Sequence, residues 1–108
     1  MPTSLTLDTA HGNDGKIVLT AAGEIDLSNV DTFTRALTTA TTDADSSGAP
    51  LTVDLSAVEY LDSAAINALF ASADHIQLIA HPLLMPVLTI SGLTELVTTE
   101  PASPAAEN

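Results

Sequence analysis

Short apolar runs alternate with segments of helical period along this chain, and that alternation limits its fold more than any other feature. Leu5 and Leu7 alternate with Ser4, Thr6 and Asp8, the pattern of a half-buried strand. The stretch His-Gly-Asn-Asp-Gly, residues 11–15, has the composition of a hairpin turn. Residues 16–23 form a more apolar second strand, antiparallel to the first. Leu27, Val30, Phe33, Leu37 and Ala40 then recur at steps of three and four, which predicts one apolar helical face. Ser28 and Asp31 have the spacing of a capping box at its start. The following threonines are poor helix formers, and residues 43–50 read as a loop.

The second half repeats the alternation. Residues 51–56 are a third strand, with flanks that suggest burial. A helix starts near Ser63 and turns Ile66, Leu69 and Phe70 inward. Residues 75–80 are a fourth strand. Pro82 opens a third helical segment with Leu84, Val87 and Leu88, which Gly92 ends. Pro86, inside that segment, should delay or kink it. Residues 94–99 read as a fifth strand, and residues 100–108, with two prolines and no apolar period, as a disordered tail.

The order ββαβαβαβ implies a single α/β domain over residues 4–99. Its sheet of about five strands is mostly parallel, with one antiparallel hairpin at the start and helices packed against it. Such sheets carry function at the carboxyl ends of their strands. Two polar, acidic junctions fall there, residues 24–28 and residues 59–63.

Composition excludes several chemistries. There are no cysteines, so there is no disulfide framework, thiolate metal site or cysteine nucleophile. Fourteen acids stand against two bases, Lys16 and Arg35, for a net charge of −12. Such a surface repels nucleic acid and anionic lipid, and it serves solubility first or else a partner with a basic docking face. The amino terminus has no basic segment followed by an apolar one, so it is no secretory signal. No apolar run approaches the ~20 residues of a membrane span. The expectation is a soluble cytoplasmic protein that binds neither nucleic acid nor membrane. His11, His75 and His81 are too dispersed for a metal site or a hydrolase triad, and no phosphate-binding glycine loop is present. No cofactor and no catalytic residue is expected.

Asp62-Ser63 stands at the start of the second helix. Either side chain can accept from the free N–H groups there, so one of them is the cap. The helix end also favours negative charge, so the fold tolerates a phosphate on Ser63.

The stretch Val-Asp-Leu-Ser-Ala-Val-Glu-Tyr-Leu-Asp-Ser-Ala-Ala, residues 53–65, resembles the central motif of the STAS domain, the fold of bacterial anti-sigma factor antagonists. Gly-Glu-Ile-Asp-Leu-Ser-Asn-Val, residues 23–30, and Ile-Ser-Gly-Leu, residues 90–93, resemble two further family segments in the expected order. Ala64 and Ala65 replace a hydroxyl residue and a glycine of the family pattern. The resemblance implies partner switching. The antagonist binds an anti-sigma factor that is also a serine kinase using ATP and Mg²⁺, and so frees a sigma factor. Phosphorylation at the position of Ser63 ends the binding, and a serine phosphatase restores it. It implies a docking surface that includes Asp26, Asp62, Ser63 and Ala64, with no enzymatic step of the domain's own. Two other uses of the fold remain: a constitutive scaffold or regulatory subunit of a larger complex such as a transporter, and a small-molecule or nucleotide sensor. The oligomeric state is left open.

Overall fold

The computed structural model describes residues 4–12 and 15–102. Strand β1 (Leu5–His11) pairs antiparallel with β2 (Ile17–Ile25), in a register that sets Leu7 opposite Ala21. Helix α1 (Val30–Ser47) leads to β3 (Leu51–Leu61), and α2 (Ser63–Ala71) with a 3₁₀ turn leads to β4 (Ile76–Ala80). A second 3₁₀ turn, α3 (Met85–Ile90) and α4 (Leu93–Leu96) lead to β5 (Thr99–Pro101). The five strands lie in sequence order, and β2 to β5 are parallel. This is the single α/β domain with a mixed, mostly parallel sheet that the alternation predicts. Asn13 and Asp14 of the expected hairpin turn lie outside the described residues.

Each crossover in the parallel part steps to the next strand in the same direction. Right-handed crossovers of that kind bring all helices to one face. Burial follows this. Ile17, Leu19 and Ala21 of β2 and Leu51, Val53 and Leu55 of β3 are buried against Phe33 and Leu37 of α1 and Leu69 of α2 in one core. The alternate residues, among them Val18, Thr20, Thr52 and Asp54, are only partly covered.

Three elements differ from the expectation. Helix α1 runs through Ser47 where residues 43–50 read as a loop. Ala40, Thr41 and Ala44 are buried, and the Thr41 hydroxyl donates to the Leu37 carbonyl at 2.6 Å, so the threonines satisfy their own polar groups within the helix. Strand β3 continues to Leu61 where a loop was expected after Ser56. Its pairing with β2 shifts register twice, between Thr20 and Ala22 and between Gly23 and Glu24, with the extra residue on β3 each time. These bulges keep Val58 and Leu61 inward at three-residue spacing. Last, the fifth strand is Thr99–Pro101 rather than residues 94–99. Leu93 and Val97, four apart, are buried as a helical pair while Leu96 is exposed, so that stretch forms α4. The first residues of the expected tail thus belong to β5, and Ala102 donates its N–H to the Ala80 carbonyl at 2.7 Å. Residues 103–108 lie outside the described residues. Pro86 delays the third helical segment as expected: it sits in the first turn of α3, after the 3₁₀ turn Pro82–Leu84.

Candidate functional site

Because β2 and β3 are parallel, their carboxyl ends reach the same edge of the sheet, with Ile25 opposite Leu61 as the last pair. Beyond that pair the two chains stay joined. The Asp62 N–H donates to the Ile25 carbonyl at 3.2 Å. The Leu27 N–H donates to Asp62 Oδ2 at 2.9 Å. Asp62 Oδ1 accepts from the Ala65 N–H at 3.0 Å. Asp62 is therefore the cap of α2, with extended backbone, and its second oxygen holds the β2–α1 loop. The choice that the sequence leaves open between Asp62 and Ser63 falls on Asp62.

Ser63 is the first residue of α2 and is exposed. Its hydroxyl makes no hydrogen bond with any described residue, so it is not committed to the fold. Ala64 beside it is half-buried. Ala65 is fully buried, so the methyl that replaces the family's glycine packs into the core.

The β2–α1 loop is built on Asp26 and Asn29. Asp26 Oδ1 accepts from the Ser28 N–H at 2.9 Å and from the Ser28 hydroxyl at 2.5 Å. Asn29 Oδ1 accepts from the Asp26 N–H at 3.0 Å, and Asn29 Nδ2 donates to the Glu24 carbonyl at 3.0 Å. The expected capping box of Ser28 and Asp31 does not form. Asn29 holds the cap position of α1 without a side-chain cap bond, because its amide is turned back on the loop. Leu27 is not on the apolar face of α1 either. It stands at the loop tip, 77% exposed. Its place in the period of three and four hid it, although an Asp followed two residues later by Ser signals a local turn. Tyr60, opposite Glu24 in the ladder, is also exposed. An exposed Leu and Tyr thus flank the acidic pair Asp26 and Asp62, and sequence reasoning picked out neither.

The histidines stand apart from this edge. His11 ends β1, and the His81 imidazole accepts from the Leu83 N–H at 3.0 Å. His75 faces Asp45 at 3.5 Å, both exposed, which contributes little. Among the described residues, no three of His, Asp and Glu gather to hold a metal ion. No helix of the described residues is long and apolar enough to cross a membrane. A cavity of about 370 Å³ opens between β1 and α1, lined by His11, Arg35 and Asp43, away from Ser63.

The family model described as "Mlab, STAS domain" matches residues 9–98, well over half of the chain. The chain belongs to the STAS domain family. No curated protein matches the sequence. The crystal structure of an anti-sigma factor antagonist from Mycobacterium paratuberculosis superimposes on this STAS domain with a TM-score of 0.81 and 27% identity, over 95% of this chain and 91% of that one. The anti-sigma factor antagonist SpoIIAA in its unphosphorylated form gives 0.68 at 14% identity, over 94% and 91% of the two chains, a likeness of fold. In this STAS domain the two motif segments, residues 23–30 and 53–65, meet at one sheet edge through the Asp62 carboxylate.

Proposed function

We propose that this STAS domain is an anti-sigma factor antagonist that docks an anti-sigma factor on the edge formed by Asp26, Leu27, Asp62, Ser63 and Ala64. The observation that carries the reading is the state of Asp62-Ser63. Asp62 carries the structural work with both oxygens, and the neighbouring Ser63 hydroxyl is exposed and uncommitted. A kinase partner can transfer the γ-phosphoryl group of ATP to that hydroxyl without breaking a bond of the fold. The phosphate adds about −1.5 to −2 charges at neutral pH. The α2 terminus accommodates this charge, and Asp62 and Asp26 nearby raise the repulsion and desolvation that a docking partner meets. Leu27, exposed in the β2–α1 loop, and Tyr60, exposed near the end of β3, offer the apolar part of the contact. Function by binding requires no catalytic group, and a serine phosphatase would restore the docking state.

The test is to incubate the protein with candidate anti-sigma factor kinases, ATP and Mg²⁺, and to map phosphate by mass spectrometry. Modification of Ser63 with loss of the complex supports the switch. A second reading, a STAS module held constitutively in a larger complex, is favoured by the departure at Ala64 and Ala65. It requires a stable complex in which Ser63 is never modified and Ser63→Glu binds as well as the parent.

A further inference from the structure

Parallel sheets are almost always covered on both faces. The parallel part of this one, β2 to β5, carries all the described helices on a single side, and among the described residues no element covers its other face. One cross-strand row on that face reads Asp8, Thr20, Asp54, Ile79, Glu100, with each residue opposite the next in the ladder. Carboxylates thus occupy every second strand, about 10 Å apart by strand spacing, and no base interrupts the row. Thr20 and the small residues beside it let another backbone approach closely. A hollow of about 230 Å³ lies at the Glu100 end, lined also by Thr52, Gln77 and Ile79. It suits the aliphatic stem of a Lys or Arg, with the charged head against Glu100.

We infer that the bare sheet face is a second docking surface, whose occupant is a basic amphipathic helix of a partner protein. Residues seven apart on one helix face rise about 10.5 Å, which matches the spacing of the carboxylates. A second copy of this chain is the wrong occupant, because two such rows would meet with like charge. The surface is separate from the Ser63 edge and does not depend on the switch.

The test uses a synthetic helical peptide of about 18 residues, with Lys at every seventh position among Ala and Leu, and the same peptide with Glu for Lys. Amide shifts are followed by two-dimensional NMR of the full chain. The expected result is shifts at Thr20, Asp54 and Ile79 with the Lys peptide only, and unchanged binding in Ser63→Glu. Asp8→Asn, Asp54→Asn and Glu100→Gln together weaken it about tenfold. Thr20→Arg, which leaves the carboxylates but fills the face, also weakens it, with folding checked by circular dichroism. Shifts on the helices or at Asp62, equal binding of the Glu peptide, equal affinity of the variants, absence of binding at millimolar peptide, or self-association through this face would each overturn the inference.

Discussion

Asp62 is the residue on which the local architecture turns, because its two oxygens serve two different elements. Oδ1 caps α2 and Oδ2 holds the Leu27 N–H, so one carboxylate fixes both motif loops. Asp62→Ala should lower stability by about 1–2 kcal/mol in urea unfolding. Ser63→Ala should change it by less than about 0.5 kcal/mol, since the hydroxyl serves no fold contact. The same contrast in unfolding midpoints checks both values. Gly23 carries a different constraint. Its φ is +109°, and a Cβ there would lie 2.3 Å from the Ser4 carbonyl oxygen, which accepts from the Glu24 N–H at 2.9 Å. Gly23→Ala should therefore destabilise by about 2 kcal/mol or more, read as a lowered thermal midpoint. The Gly-Glu-Ile-Asp segment was legible as a family motif, but the reason for its glycine was not, because the obstructing carbonyl is that of Ser4, just before β1 and far away in sequence. Leu27 was misplaced for a similar reason. Its spacing fits the helix, and only the bonds among Asp26, Ser28 and Asn29 show that the chain has not yet turned helical there.

At the scale of elements, the strands with two distinct faces were legible and the irregular stretches were not. β2 from Ile17 to Ala22 and the first half of β3 alternate in burial, and each carries an apolar run that reads as a strand. The second half of β3 loses that period because its bulges space Val58 and Leu61 by three, which reads as a loop. β5 has no apolar residue at all and is held by backbone pairing to β4, so nothing in its side chains marks a strand. The end of α1 was hidden by threonine and serine, whose poor propensity is overridden by burial of Ala40 and Ala44 against the sheet. Gly48 marks the true end. It lies at φ +80°, and its N–H donates to the Ala44 and Asp45 carbonyls. No atom lies within 4 Å of a Cβ built there, so Gly48→Ala meets only backbone strain. The expected loss is about 1 kcal/mol, measured by urea unfolding, with the end of α1 otherwise unchanged.

For the whole molecule, the net charge of −12 acts on stability as well as on partners. Like charges crowd together on folding, so screening should favour the native state. The thermal midpoint should rise between low salt and 0.5 M sodium chloride, a concentration that shortens the Debye length to about 4 Å; a midpoint that falls would show that attractive pairs dominate instead. The architecture also separates two surfaces. The described helices cover one face of the sheet, the β2 and β3 carboxyl ends gather the acidic edge around Ser63, and no described element covers the opposite face. The order of elements in the sequence did not show the open face, which follows from the spatial order of the strands, each crossover advancing in one direction. Which residues line the edge depended on contacts between distant segments. The most direct measurement of the switch is calorimetric titration of an anti-sigma factor kinase into the parent protein, Ser63→Ala and Ser63→Glu. A switch at Ser63 gives comparable affinity for the parent and Ser63→Ala, and a loss of about a hundredfold or more for Ser63→Glu. Equal affinity for all three would contradict it.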